Sequence, residues 1–190
     1  DSLFWYSEKS GDSSYVPMNT GENLSALLKL SFNFIKGMRF STLFSYSNDK
    51  WFGYDHGFKY NPDGRAGSHK ETFYTAFQLN HMISQKLFYE FKYSNVKNDF
   101  GSYLYEDPLD DRYIHDRYLE SYGPGFLTGG QSKDHTIRNT IDQTFKLDAT
   151  WQANHNHSFK SGLHYFSHDL DNQWHSIRNK FHNTASDSIY

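Results

Sequence analysis

The chain has 190 residues, with 19 Lys and Arg against 22 Asp and Glu, a formal net charge of -3 and no cysteine. That balance gives no bulk attraction for nucleic acid, and the missing thiols exclude a disulfide framework and a thiolate metal site. Aromatic residues make up 19% of the chain, with 15 Tyr and 17 Phe. Any strands therefore lean on Phe, Tyr and Leu.

No apolar run approaches the ~18 residues of a transmembrane helix. Barrel strands are only about 10 residues long and alternate, so this leaves a membrane open. Asp1–Tyr6 has neither the basic start nor the long apolar core of a signal peptide. A leader is expected to have been removed, or the chain to begin within a longer protein. The segment 1–22 is polar and turn-rich, with a weak edge-strand signal at Tyr15-Val16.

Leu24–Phe34 alternates, with Leu28, Leu30, Phe32 and Phe34 on one face and Lys29, Ser31 and Asn33 on the other. Ile35-Lys36-Gly37 reads as a three-residue reversal with Gly37 in the left-handed region. Met38, Phe40, Thr42, Phe44 and Tyr46 return on the same face. Asn48–Gly67 then reads as a turn-rich connection of about 20 residues, containing Asn61-Pro62-Asp63-Gly64.

Thr72–Asn80 is the next strand, with Phe73, Thr75, Phe77 and Leu79 on one face. A reversal at His81–Ser84 returns Leu87, Tyr89, Phe91 and Tyr93, which places Phe73 opposite Tyr93. Asn95–Asn139 follows as the longest irregular stretch, about 45 residues, unusual inside a compact soluble domain.

The clearest hairpin is Ile141–His168. Phe145, Leu147, Ala149 and Trp151 share a face, and Phe159, Leu163 and Tyr165 return on it, around a polar turn at Asn154–Asn156. Lys146, Asp148, Lys160 and His164 take the opposite face. This register sets Trp151 against Phe159 and Leu147 against Leu163, and a slip of one residue would bring Trp151 against Lys160. The segment 169–190 is polar again, with Trp174, Ile177 and Phe181 spaced through it.

Short reversals at one end and long connections at the other are the layout of an outer-membrane barrel. A soluble sandwich more often spaces its loops evenly. The expected fold is all-β, an antiparallel up-and-down meander of about six strands in three hairpins, forming part of an outer-membrane β-barrel.

Chemical motifs are weak. His155 and His157 flank Asn156, but no Cys or Glu completes a metal set. His164 and His168 share a face yet stand about 13 Å apart on a strand. Glu106, Asp107, Asp110 and Asp111 lack the spacing of a calcium loop and read as a solvated turn. Gly123–Gly130 is not followed by the Gly-Lys-Ser/Thr of a phosphate loop. No Ser-His-Asp spacing is present, so no enzyme, cofactor or metal is expected. Loops displayed from a rigid scaffold collect binding residues. Trp51, Tyr54, Tyr105, Arg112 and Tyr113 are therefore the candidate ligand contacts. The plainer alternative is that they pack each loop onto its neighbours.

Phe145–Gln152, with its Asp-x-Thr-x-Gln, the turn Asn154–His157, and Phe159–Tyr165, with Lys160-Ser161-Gly162, together resemble a barrel hairpin of TonB-dependent outer-membrane receptors. Tyr60–Gly64, Asn80–Phe91 and Asp107–Tyr113 are similar to pieces of the same family. The likeness covers most of Leu24–Asp169. The family has a barrel of roughly 22 strands closed by a plug. Only about six strands are legible here, and the plug, the TonB contact motif and the terminal barrel strand are not. Residues 1–190 thus read as an internal part of such a barrel. The resemblance implies a bacterial outer-membrane location and contact with the lipid bilayer. It also implies energy from the TonB complex through the plug, and import of a nutrient such as a siderophore, haem, peptide, glycan or cobalamin. A passive porin, an adhesin-type barrel or a soluble β-sheet binding module are the alternatives.

Overall fold

The computed structural model describes residues 15, 17–115, 121–122, 126–127 and 129–178. Among the described residues eight strands follow in chain order. They are β1 (Thr20–Ile35), β2 (Met38–Phe52), β3 (Gly67–Ser84), β4 (Leu87–Tyr103), β5 (Ser121–Tyr122), β6 (Phe126–Leu127), β7 (Asp134–Gln152) and β8 (Ser158–Ser176). Six of them form one antiparallel sheet in the order β1-β2-β3-β4-β7-β8, while β5 and β6 pair only with each other. The chain is an all-β, up-and-down meander, and its main sheet does not close. Among the described residues no helix is long and apolar enough to cross a membrane, which leaves strands untouched as spanning elements.

The strands run further than their apolar alternation. β4 continues to Tyr103 and β7 begins at Asp134, so the expected 45-residue loop shortens to 104–133. β8 extends to Ser176 and takes in Trp174. Backbone ladders need paired N–H and C=O groups, not apolar side chains. Polar stretches such as 136–140 therefore pair on both sides as the apolar ones do. Tyr15 lies outside any strand, Val16 and Phe181 lie outside the described residues, and Ile177 follows the end of β8.

All three short reversals lie at one end of the sheet. The first leaves only Lys36 and Gly37 outside the ladder. Ile35 pairs with Met38, and a bulge between Phe32 and Ile35 takes up the third residue once assigned to the turn. Gly37 is left-handed, at φ 85°. The second reversal is Gln85-Lys86 and not 81–84, because β3 continues to Ser84. That moves the register by four residues, so Phe73 faces Lys97 and Phe77 faces Tyr93. An even shift leaves every side chain on its expected face. The third is Ala153–His157, where the Asn154 carboxamide oxygen accepts the N–H groups of Asn156 and His157 at 2.9 Å each.

One face is apolar in its turn-proximal half. Phe32, Phe40, Leu79, Phe91, Leu147 and Leu163 form an unbroken cross-strand row over all six strands. Phe40 and Tyr93 each stack on Phe77 with centroids 6.3 Å apart, Phe91 meets Phe145 edge-on at 4.9 Å, and Trp151 stacks on Phe159 at 5.7 Å. Such pairs stabilise a sheet face. Nothing in the described chain covers it. No described hydrophobic side chain is buried, and Leu163 is 60% exposed.

The opposite face is polar over the same rows. Lys92 stands opposite Lys146, and Glu90 opposite Asp148. Like charges in that position repel. Each is offset along its own strand, by Lys92–Glu90 at 2.5 Å and Lys146–Asp148 at 2.9 Å. A groove of about 350 Å³ opens on this face among Lys29, Ser41, Tyr74, Gln78, Lys92 and Lys146.

Candidate functional site

The apolar band has a slope. Its border away from the turns runs from Leu24 in β1 through Tyr46 in β2, Phe73 in β3, Tyr93 in β4 and Phe145 in β7 to Tyr165 in β8, with Phe52 of β2 and Ile141 and Ile137 of β7 standing singly beyond it on the same face. Following the pairing from Leu24 leads through Asn48, Glu71, Asp99 and Asn139 to Asp171, six residues beyond Tyr165. Six residues rise about 20 Å while the five strand spacings cover about 24 Å, so the border crosses the strands' perpendicular at about 40°. Most of this border is aromatic. The other border carries Phe32, Met38, Tyr89, Trp151 and Phe159. Along β1 the band spans Leu24–Phe32, about 26 Å of strand.

At the far end two connections dock on each other. Asn61 Nδ2 donates to the Gly130 carbonyl at 2.6 Å, and the Ser132 N–H donates to the Gly64 carbonyl at 2.6 Å. Phe126 of β6 takes the edges of His56 (4.7 Å) and Tyr60 (5.2 Å), with Lys59 Nζ 5.3 Å from both the Tyr60 and Phe126 rings. The short 3₁₀ turns at His56–Phe58 and Pro62–Gly64 shape this loop. Asp55 caps the first by accepting the Gly57 N–H.

The five sequence candidates fall into two groups. Tyr105, Arg112 and Tyr113 come together. The Arg112 guanidinium lies 4.0 Å from the Tyr105 ring centroid, the Tyr113 hydroxyl donates to the Tyr105 carbonyl at 3.2 Å, and Gln131 Nε2 donates to the Arg112 carbonyl and the Tyr105 hydroxyl. Arg112 also holds Asp110 through Nε at 2.9 Å and Nη2 at 2.6 Å. Trp51 and Tyr54 belong elsewhere. Trp51 is not in a loop but on β2, paired with Gly21 and Ser68. Tyr54 is bonded to His56 Nδ1 at 2.6 Å, and its N–H donates to Asn19 Oδ1. Among the described residues no hydrogen bond or ring contact joins these two to the Tyr105 group.

The Arg112 hydrogen bonds, side chain first and backbone N–H second, hold the Asp110 carboxyl down at about 2. Burial pushes the Tyr113 phenol up, against the opposing pull of its hydrogen bond to the Tyr105 carbonyl. A carboxyl lowered on folding stabilises the loop above its ordinary range, and that contribution disappears as pH falls toward 2. A carboxyl-carbon NMR titration is expected to put the Asp110 midpoint near 2, and Arg112→Gln to return it toward 3.8. A wild-type midpoint near 4 would mean that the clamp does not persist in solution.

Sequence reading missed two clusters, because both depend on register. On the apolar side, beyond the band, His135 is fully buried between the stacked rings of Tyr103 (4.7 Å) and His175 (4.8 Å), and it donates from Nε2 to the Glu106 carbonyl. The His135 and His175 rings are stacked, with planes 14° apart. Among the described residues no group of three or more His, Cys, Asp or Glu is arranged to hold a metal. The second cluster crosses the polar face near the loops. Trp51 meets Phe100 at 6.2 Å, Arg138 lies 5.9 Å from the Phe100 ring, and Arg138 Nε donates to Asn172 at 2.9 Å, beside Trp174. Its members come from four strands, and no local spacing in the sequence joins them.

No protein-family model matches the chain, and no curated protein matches it at a significant level. The geometry therefore carries the functional reading.

Proposed function

We propose that this sheet is a sector of a β-barrel in a bacterial outer membrane, and that the barrel is a TonB-dependent receptor importing a nutrient. The observation that supports the barrel is the oblique apolar band. Barrel strands tilt by ~35–45° from the membrane normal. A band whose border lies about 40° off the strands' perpendicular becomes level with the membrane when the strands tilt by that angle along its slope. The aromatic residues at its borders then sit at the two interfaces, and the lysine- and glutamate-bearing face lines a wet interior.

Further strands pair with the open edges of β1 and β8, since six are fewer than the eight of the smallest such barrels. The receptor reading adds the resemblance of Phe145–Tyr165 to that family's hairpins. In it the TonB complex supplies energy through a plug domain, and the loops at 53–66 and 104–133 face the outside.

Residues 1–190 contain no cysteine, so single cysteines placed in them can be labelled once any cysteine elsewhere in the protein is replaced by serine. In the intact protein in membranes, a membrane-impermeant maleimide is expected to label Lys146→Cys and Lys160→Cys but spare Leu147→Cys and Leu163→Cys. Equal labelling at all four positions would overturn the barrel. Ligand-dependent growth that survives deletion of the TonB complex would leave a passive barrel instead.

A further inference from the structure

We infer that the loop-end ledge of the polar face, between Trp51 and Trp174, binds a glycan chain. This rests on the reading that the polar face borders water. Two large aromatic side chains on such a face serve neither bilayer nor core, yet Trp51 is 39% and Trp174 65% exposed. The pairing places them on one cross-strand row, Gly21-Trp51-Ser68-Ser102-Thr136-Trp174. Four strand spacings separate them, about 19 Å, the length of a short oligosaccharide.

The floor between them is made of small hydroxyl and amide groups. Ser68 Oγ donates to Ser102 Oγ at 3.1 Å. Two rows away Thr72 Oγ1 donates to Asn98 Oδ1 at 2.9 Å, and Asn98 Nδ2 donates to Thr140 Oγ1 at 3.1 Å. These bonds hold each group in place and leave capacity over, since a hydroxyl has one donor and two acceptor sites and a carboxamide two of each. The intervening row carries Asp49, Lys70 and Arg138, both signs of charge, so it selects no strongly charged ligand.

A sugar ring presents C–H groups on its faces and hydroxyls on its rim. The faces match indole rings, and the rim matches a floor of fixed donors and acceptors. A peptide would look for backbone partners along a strand edge, and this ledge runs across the strands on the face of the sheet, where the backbone from β2 to β7 is already paired. A nucleic acid would need a stripe of cations. The Phe100 ring between Trp51 and Arg138 widens the platform without adding charge.

The test is a calorimetric titration of the intact protein in detergent with maltohexaose, cellohexaose, xylohexaose and mannohexaose. At least one is expected to bind. Trp51→Ala and Trp174→Ala should each weaken it by about tenfold or more, while Trp151→Phe, on the other face, leaves it unchanged. If the alanine variants fail to fold, Ser102→Phe, which fills the floor, decides by abolishing binding. No binding to any of the four, or full binding by the Ser102→Phe or both tryptophan variants, overturns the inference. Cysteine labelling of the same preparation separates the two readings. The expected labelling without glycan binding removes only the ledge, and glycan binding with the wrong labelling removes the barrel and keeps the ledge.

Discussion

In the proposed barrel, Leu147→Arg is expected to block assembly into membranes. Leu147 lies opposite Leu163, in the one row that is apolar across all six strands. It also lies within the Phe145–Trp151 part of the band, away from the ends of β7. Arginine near the bilayer midplane costs ~2–4 kcal/mol in a barrel. Leu163→Arg has the same effect, and the pair together exceeds either alone. Lys146→Arg, one residue away on the polar face, serves as the control. The readout is the share of protein that runs as a compact, heat-modifiable band after refolding into lipid. Leu147→Arg refolding as well as Lys146→Arg would mean that the faces are assigned the wrong way round.

Gly37→Val is expected to destabilise the sheet by roughly 2–4 kcal/mol, through left-handed strain and overpacking together. Gly37 holds φ at 85°, where a β-branched residue is a genuine outlier. A Cβ there would stand 2.8 Å from the Met82 carbonyl oxygen. Backbone cannot swing aside as a side chain can, and the Gly37 carbonyl already accepts the Met82 N–H at 2.7 Å. The substitution therefore strains the first turn and pushes that turn off β3. Gly53→Ala is the comparison, because no atom lies within 4 Å of its added Cβ. Urea unfolding from detergent micelles measures both. Equal midpoints for the two variants would show that the turn does not have this geometry.

The faces of the strands were legible because side-chain alternation is a local property. Trp151 opposite Phe159 and Leu147 opposite Leu163 were readable from the spacing around a short polar turn, and the structure pairs them so. The second hairpin is displaced by four residues because the apolar alternation Phe73-Thr75-Phe77-Leu79 stops at Leu79, so the reversal is expected directly after it. The β3–β4 ladder nevertheless runs through it to Ser84. Strand ends were short for a related reason. Hydropathy marks where side chains meet an apolar medium, and hydrogen-bond ladders continue past that point.

The candidate site was legible only in part. Tyr105, Arg112 and Tyr113 are close in sequence, and they meet as one loop cluster. Trp51 looked like a loop residue because Gly53, Asp55 and Gly57 follow it, but β2 carries it onto the polar wall. Phe100, Arg138 and Trp174 come from three strands with nothing in their local sequence to join them.

Alternation by itself determined the all-β class, the apolar and polar faces, the turn end and the loop end. Each of these depends on residues a few positions apart. The tertiary structure alone decided how far each strand slides against the next, and so the slope of the apolar band, the His135 stack and the row from Trp51 to Trp174. Those depend on register accumulated over six strands, and a cross-strand sum of that kind is not encoded in any one segment.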